Sequence, residues 1–234
     1  MPKQRRSPSL AERLASLAEL LADPAAPWPE VFNALARWPP GPQLEAAIEL
    51  VEPGAARWTP LERHLTPLVA QQLIAGVVRP YLRLLRTLDL RVVWSVRRRD
   101  LLLARLISEG RQSELHTFTT RYDLGDELIP LISRHITGLH SLNIGGSGVS
   151  SSGARTLAET SSLARLTSLS LHNNNIDDDG AAALLASPHL GALRYLNLYG
   201  NRISPAMIDR IHAAPQWRAT RIVLHGRPSR TEYD

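Results

Sequence analysis

Histidine, serine, aspartate and clustered arginine are the residues of this chain that could do chemistry. Eight histidines invite a metal reading, but no pair has the H-E-x-x-H type of spacing that sets two imidazoles on one helix face. Asp177-Asp178-Asp179 lacks the alternating acidic ligands and closing Glu of a calcium loop. Asp177 reads better as a helix N-cap, with its two neighbours complementing the helix dipole. Gly145-Gly146-Ser147-Gly148 looks like a phosphate loop, yet no Lys-Ser/Thr follows it. No G-x-S-x-G nucleophile elbow is present. With zero cysteines, disulfides, thiolate metal sites and every cysteine-nucleophile mechanism are excluded. Arg97-Arg98-Arg99 is the one compact basic run; it is a candidate phosphate contact, though such runs are usually a solvated face. These residues point to no catalysis, no metal and no cofactor.

The elements that position these residues follow from an internal period. Leu166, Leu169, Leu171, Asn174 and Ile176 recur 27 positions later as Leu193, Leu196, Leu198, Asn201 and Ile203. One step back gives Leu139, Leu142, Ile144, Ser147 and Val149, with a hydroxyl replacing the Asn. A further step gives the degraded set Gln112, Leu115, Thr117, Thr120 and Tyr122, and another gives Leu85, Leu88, Leu90, Val93 and Ser95. The forward step from 193 reaches Thr220 with Ile222 and Leu224 one residue out of phase, as a terminal unit would be. Asp123, Ser150, Asp177 and Ser204 keep the same spacing as N-caps, and Pro205 stands at the first helical position after Ser204. Leu157, Leu184 and Ile211 then face inward from the helix, while Ile136, Leu163, Leu190 and Trp217 mark the turn back. Each unit reads strand, turn, helix, turn.

The stretches LTSLSLHNNNI (Leu166 to Ile176) and LRYLNLYGNRI (Leu193 to Ile203) follow L-x-x-L-x-L-x-x-N-x-I. That pattern resembles the leucine-rich repeat family, in the longer ribonuclease-inhibitor-like subtype with bacterial-type units of 27 residues. The resemblance covers about residues 81–234. It implies an α/β fold, a right-handed solenoid with parallel strands on the concave side and helices on the convex side. L-x-L places two apolar side chains on the inner face of a short strand, and the Asn amide bonds backbone groups as the chain leaves it. One unit cannot bury its own apolar face, so stacked neighbours supply the core.

In such an architecture the residues around the strand leucines project onto the concave face, the usual binding surface. The position after the second leucine is expected to hold Arg91, Phe118, Gly145, His172, Tyr199 and His225; the position between the leucines, Asp89, His116, Asn143, Ser170 and Asn197. Tyr195 and Arg221 stand just before the strand leucines. The expected partner-binding residues are therefore His116, Phe118, Asn143, His172, Tyr195, Asn197 and Tyr199, since rings with polar handles add contact area at low entropic cost. His116 and His172 lie two strands apart, about 10 Å, too far to share an ion.

Residues 1–80 read as a helical cap for the exposed end of the stack. Ser9 and Glu12 form a capping box ahead of Leu10, Leu14, Leu17 and Leu21, and Pro24 stops that helix. Trp28–Trp38 and Gln43–Glu52 are two short helical stretches separated by Pro39-Pro40-Gly41-Pro42. Thr59-Pro60-Leu61-Glu62 predicts a further helix start, which Thr66-Pro67 restarts. Trp28, Trp38 and Trp58 are core candidates or, alternatively, the face of a separate binding module.

Of 234 residues, 44% are hydrophobic, enough for a sizeable core. Apolar runs fall far short of the roughly 20 residues of a membrane span, and no apolar signal core follows the basic start, so a cytoplasmic location is expected. Net charge is +5, and all but one of the 27 basic residues are arginine, a bias expected of a GC-rich genome. The reading is a helical cap at 1–80 and a repeat domain at 81–234, with units starting near 85, 112, 139, 166 and 193 and a degraded one near 219. It is expected to be a non-enzymatic scaffold for a protein partner. The alternatives are nucleic-acid association through Arg97–Arg99 and Arg218, Arg221, Arg227 and Arg230, or regulation of an enzyme in trans; some proteins with similar repeats inhibit a nuclease or activate a small GTPase.

Overall fold

The structure is a computed structural model that describes residues 8–75, 77, 80–92, 115–121 and 125–224. It divides into two compact units, Met1–Arg86 and Thr87–Asp234. Among the described residues, no helix is long and apolar enough to cross a membrane.

The first unit is helical because its proline and hydroxyl residues start helices and its apolar residues fall on one side of each. Helix α1 (Leu10–Ala22) begins at a complete Ser9/Glu12 capping box. Helix α2 (Trp28–Ala36) follows Pro27, and α3 (Pro42–Val51) follows Gly41, whose φ of 128° suits glycine. Helix α4 (Pro67–Ile74) starts at Thr66, whose hydroxyl accepts from the Val69 N–H. The core is aromatic. Trp28 stacks on Phe32 at 4.7 Å and meets Trp58 edge-on at 5.5 Å, and Tyr81 meets Phe32 at 5.3 Å. Both indole N–H groups are satisfied inside this unit, Trp28 by the His64 carbonyl and Trp58 by that of Ala26. Trp28, Trp38 and Trp58 are all buried.

The helix expected at Thr59 does not form. Its capping box does: the Glu62 carboxylate accepts from the Thr59 N–H at 2.7 Å and the Thr59 hydroxyl from the Glu62 N–H at 3.3 Å. The chain makes a single turn there and no more. Pro67 is the physical reason, because a continuing helix would drive its ring into the residue-63 carbonyl and would need a helical Thr66, which a following proline disfavours. Thr66 is extended, with ψ of 155°.

The second unit carries six parallel three-residue strands in one sheet, ordered as in the sequence: β1 (Thr87–Asp89), β2 (Thr117–Thr119), β3 (Ser141–Asn143), β4 (Ser168–Ser170), β5 (Tyr195–Asn197) and β6 (Arg221–Val223). Parallel neighbours need a crossover, and from β2 to β6 helices supply it: α5 (Leu128–His135), α6 (Ser151–Ala158), α7 (Asp178–Leu185) and α8 (Pro205–Ala213). Ser150, Asp177 and Ser204 cap the last three. Asp123 and the unit start near 112 lie outside the described residues; α5 itself starts at Leu128 without a side-chain cap.

The core fills from both sides. Leu142, Leu169 and Leu196 point inward from the strands, Leu157, Leu184 and Ile211 from the helices, and Ile136, Leu163, Leu190 and Trp217 close the returns; all are buried. Asn174 and Asn201 stitch each unit to the one before. The Asn174 side-chain oxygen accepts from the N–H groups of Ser147 and Val149, and its amide donates to the carbonyls of Ile144 and Leu171. Asn201 repeats this with Ile176, Leu171 and Leu198. In the same position one unit earlier, Ser147 is too short to reach, and its buried hydroxyl has no partner among the described residues.

The register of the first units departs from a 27-residue step. Leu88 pairs with Phe118, 30 residues on, and Phe118 with Leu142, 24 residues on. Leu142 to Leu169 and Leu169 to Leu196 keep 27, and Leu196 to Ile222 is 26. A 27-residue step would have put Leu115 and Thr117 inward in β2. The shift instead lets Leu115 and Phe118 take the places that Leu139 and Leu142 take next door, so the larger apolar side chain is buried and Thr117 turns outward.

Candidate functional site

Alternation along each strand sends the middle residue to the core and its two neighbours to the opposite face. One outward row is Thr87, Thr117, Ser141, Ser168, Tyr195 and Arg221; the other is Asp89, Thr119, Asn143, Ser170, Asn197 and Val223. A third row lies one residue beyond the inward position that follows the strand: Arg91, Arg121, Gly145, His172 and Tyr199.

The second row does structural work. The Asp89 carboxylate accepts from the Arg91 N–H at 2.8 Å, the Asn143 side chain from the Gly145 N–H at 3.2 Å, and the Asn197 side chain from the Tyr199 N–H at 3.0 Å. Each satisfies a backbone donor left over where its strand stops. Ser170 serves the same position differently, its hydroxyl lying 2.9 Å from His172 Nδ1. Asn197 has no exposed surface at all, so it is not a contact residue, and Asn143 is half-buried with its side-chain oxygen committed.

Phe118 is the larger correction. It is fully buried in the core of β2, because the 24-residue step to β3 moves it from the outer row to the middle of the strand. Arg121 stands where Phe118 was expected, and its side chain is exposed. His172 is 8% exposed, not a projecting ring. Its imidazole lies over Gly145, where a Cβ would come within 1.9 Å of the ring, so the glycine is what makes room. Burial, then the positive charge of Arg121, hold the His172 pKa below the ordinary imidazole range. Tyr195 is half-buried with its hydroxyl oxygen covered, and Tyr199 is half-buried at the end of the row.

His116 lies on the strand-entry side of β2 and stacks on His140, with ring centres 4.3 Å apart and planes 2° from parallel. Burial, then the neighbouring His140, lower the His116 pKa. The 27-residue comparison missed His140 and Arg121 for the reason that misplaced Phe118: the aligned spacing here is 24.

The Gly145–Gly148 stretch is no phosphate cradle. The N–H groups of Gly145, Gly146 and Ser147 are already bonded to Asn143, to the His172 carbonyl and to Asn174. Asp177 and Asp178 are likewise occupied. Asp177 caps α7 and takes the Ser151 hydroxyl, while Asp178 accepts from the N–H and hydroxyl of Ser204 in the next unit. These hydrogen bonds, with the Ser151 hydroxyl first for Asp177 and the Ser204 hydroxyl first for Asp178, hold both carboxylates below their usual range. Among the described residues, no group of three His, Asp or Glu could hold a metal ion. Arg97, Arg98, Arg99, His225, Arg227 and Arg230 lie outside the described residues.

The site is therefore a strip on which Ser141, Ser168, Tyr195 and Tyr199 are half-buried, Thr87, Thr117, Thr119 and Ser170 are buried and Arg121 and Arg221 are exposed, on a sheet whose strand-end backbone donors are already bonded. No curated protein matches the chain. Among solved structures, the actin-binding site 2 (ABS2) of leiomodin-1 is similar, with a TM-score of 0.42 at 14% identity over 58% of this chain and 82% of that one. A family model described as leucine-rich repeat matches residues 165–185. The matched stretch runs from the residue before Leu166 through β4 and the turn held by Asn174 to the end of α7, one strand-turn-helix unit, and on that match the chain contains a leucine-rich repeat.

Proposed function

We propose that this chain is a non-enzymatic interaction module that binds a partner protein on the outward face of its sheet. The observation that supports this is the division of work along the strands. Asp89, Asn143 and Asn197 turn back to bind backbone N–H groups, so that Ser141, Ser168, Tyr195, Tyr199 and Arg121 sit on a framework already hydrogen-bonded. A preorganised surface lowers the ordering cost of association, and tyrosines supply contact area with few rotors. Stacked repeats of this kind generally serve as extended binding surfaces and not as enzymes. Control of an enzyme in trans belongs to the same class of function. In this reading the units wind as a right-handed, ribonuclease-inhibitor-like solenoid, and the N-terminal helices act as its cap.

The test is capture from native lysate, with a nuclease-treated sample in parallel. Wild-type protein should retain a protein whether or not nuclease is added. Tyr199→Ala should weaken its binding about thirtyfold, the ~2 kcal/mol typical of an interface anchor. Equal retention by both forms removes Tyr199 from the interface, and recovery that vanishes with nuclease moves the protein to the nucleic-acid class.

A further inference from the structure

We infer that the outward sheet face receives an extended, carboxylate-bearing segment of the partner protein, an inference that rests on the sheet-face reading above. Among the described residues the charge along β2 to β6 is one-sided. Residues 115–121, 139–146, 166–173, 193–200 and 219–224, which carry β2 to β6, include Arg121, Arg194 and Arg221 and not one Asp or Glu. Asp89, at the β1 edge, is held by the Arg91 guanidinium at 2.7 Å. The acids described in the later units are on the helical segments: Asp126, Asp177 and Asp178, at helix starts, are taken up by Ser150, Ser151 and Ser204, while Glu159 ends α6 and Asp209 lies within α8.

Arg121 is the centre of this arrangement. It is exposed, and among the described residues it has no hydrogen-bond or ion-pair partner. Beside it lies Gly146, where a Cβ would sit 3.9 Å from the Arg121 Cγ, so that glycine adds no side chain next to Arg121; the space over Gly145 is taken by the His172 ring. Its charge is felt by His172, whose protonation it opposes. At the strand-entry edge of the sheet, one residue before β5, Arg194 is exposed, and one of its nitrogens is tied to the Leu193 carbonyl at 3.0 Å. Arginine's planar donors suit a carboxylate bidentately.

The two arginines define the ligand. Arg121 and Arg194 are three strands apart and five residues apart along the strands, so the diagonal is about 22 Å. An extended segment of about seven residues covers that distance at 3.3 Å per residue. The occupant is thus a peptide with acidic residues some six or seven apart and small or polar residues between them, facing Ser141, Ser168 and Tyr195. A nucleic acid fits less well. Its affinity comes from neutralising many phosphates, about six to ten for a strong binder, and the described residues along β2 to β6 offer three arginines among uncharged hydroxyls.

The probe is a fluorescent nine-residue Gly/Ser peptide with paired Glu at each end, read by anisotropy at low salt. A Lys-for-Glu peptide and a ten-nucleotide single-stranded DNA are the comparisons. The Glu peptide should bind and the Lys peptide should not. Arg121→Glu and Arg194→Glu should each weaken the Glu peptide at least tenfold, while Arg155→Glu on the helical side leaves it unchanged; circular dichroism checks that the variants fold. Equal binding of the Glu and Lys peptides, equal effects of Arg121→Glu and Arg155→Glu, or tighter binding of the DNA each overturns the inference. If Tyr199→Ala releases the captured partner but Arg121→Glu does not, the sheet-face reading stands and the acidic-segment inference falls.

Discussion

At the scale of single residues, what matters is whether a buried polar group has its partners. Asn174 has four hydrogen bonds to its own and the preceding unit and is almost wholly buried. Asn174→Ala strands the Ser147 and Val149 N–H groups and the Ile144 carbonyl at once, the Leu171 carbonyl keeping the Asn201 amide, and should cost about 3 kcal/mol of unfolding free energy, read from urea denaturation. A cost under about 1 kcal/mol would mean that water replaces the amide. Thr120 is the reverse case. It fills the inward position of β2 that Ile144 and Leu171 fill in later units, and its buried hydroxyl has no partner among the described residues. Thr120→Val keeps the shape and removes the orphan, so it should raise stability by about 1 kcal/mol in the same measurement.

At the scale of elements, close packing of successive helices decides which residues their first turns tolerate. Gly153 and Gly180 are 27 residues apart, in the first turns of α6 and α7. A Cβ at Gly180 would lie 2.9 Å from the Ser151 Cα, a backbone atom that cannot swing aside, and 2.8 Å from Ile176. Alanine is worth about 1 kcal/mol over glycine inside a helix, but overpacking costs about 1–3 kcal/mol. Gly180→Ala should therefore lower the melting temperature, whereas Gly191→Ala, with nothing within 4 Å, should leave it nearly unchanged. A stabilised Gly180→Ala would show that the units can move apart without loss. The turns after the strands obey a related constraint: Gly146, Asn173 and Gly200, each 27 apart, all have φ between 52° and 71°. Glycine and asparagine are the residues that enter that region readily. The turn at Thr59 shows the limit of such local signals, since its capping box is intact but Pro67 ends the segment before a helix can propagate.

At the scale of the whole molecule, titration of the buried His172 and the half-buried His116 should show in stability. His172 and His116 both have pKa values lowered, in each case first by burial. The unfolded chain takes up these protons near the ordinary imidazole value of about 6.5, while the folded chain resists them to lower pH. Their contribution is thus fully present above that value and is lost as pH falls below it toward the folded values. Denaturation midpoints should fall between pH 7.5 and pH 5, and His172→Gln should flatten part of that slope. An unchanged slope would place the proton uptake in other groups.

Leu142, Leu169 and Leu196 as inward strand residues, Ser150, Asp177 and Ser204 as caps and Asn174 and Asn201 as stitches were all legible in the residue order, because a unit that repeats without slippage repeats its local physics. Local chemistry also determined where helices begin and which faces are apolar. Tertiary structure decided the rest. It chose the register of β2, where burying Phe118 outweighed keeping the 27-residue step, and so exchanged an expected aromatic contact for the exposed Arg121. It also turned Asn143 and Asn197 from contact candidates into backbone anchors and brought His140 onto His116. Period and propensity act between near neighbours in the chain, whereas register and burial are settled by which alternative packs the most apolar surface against units that lie far away in sequence.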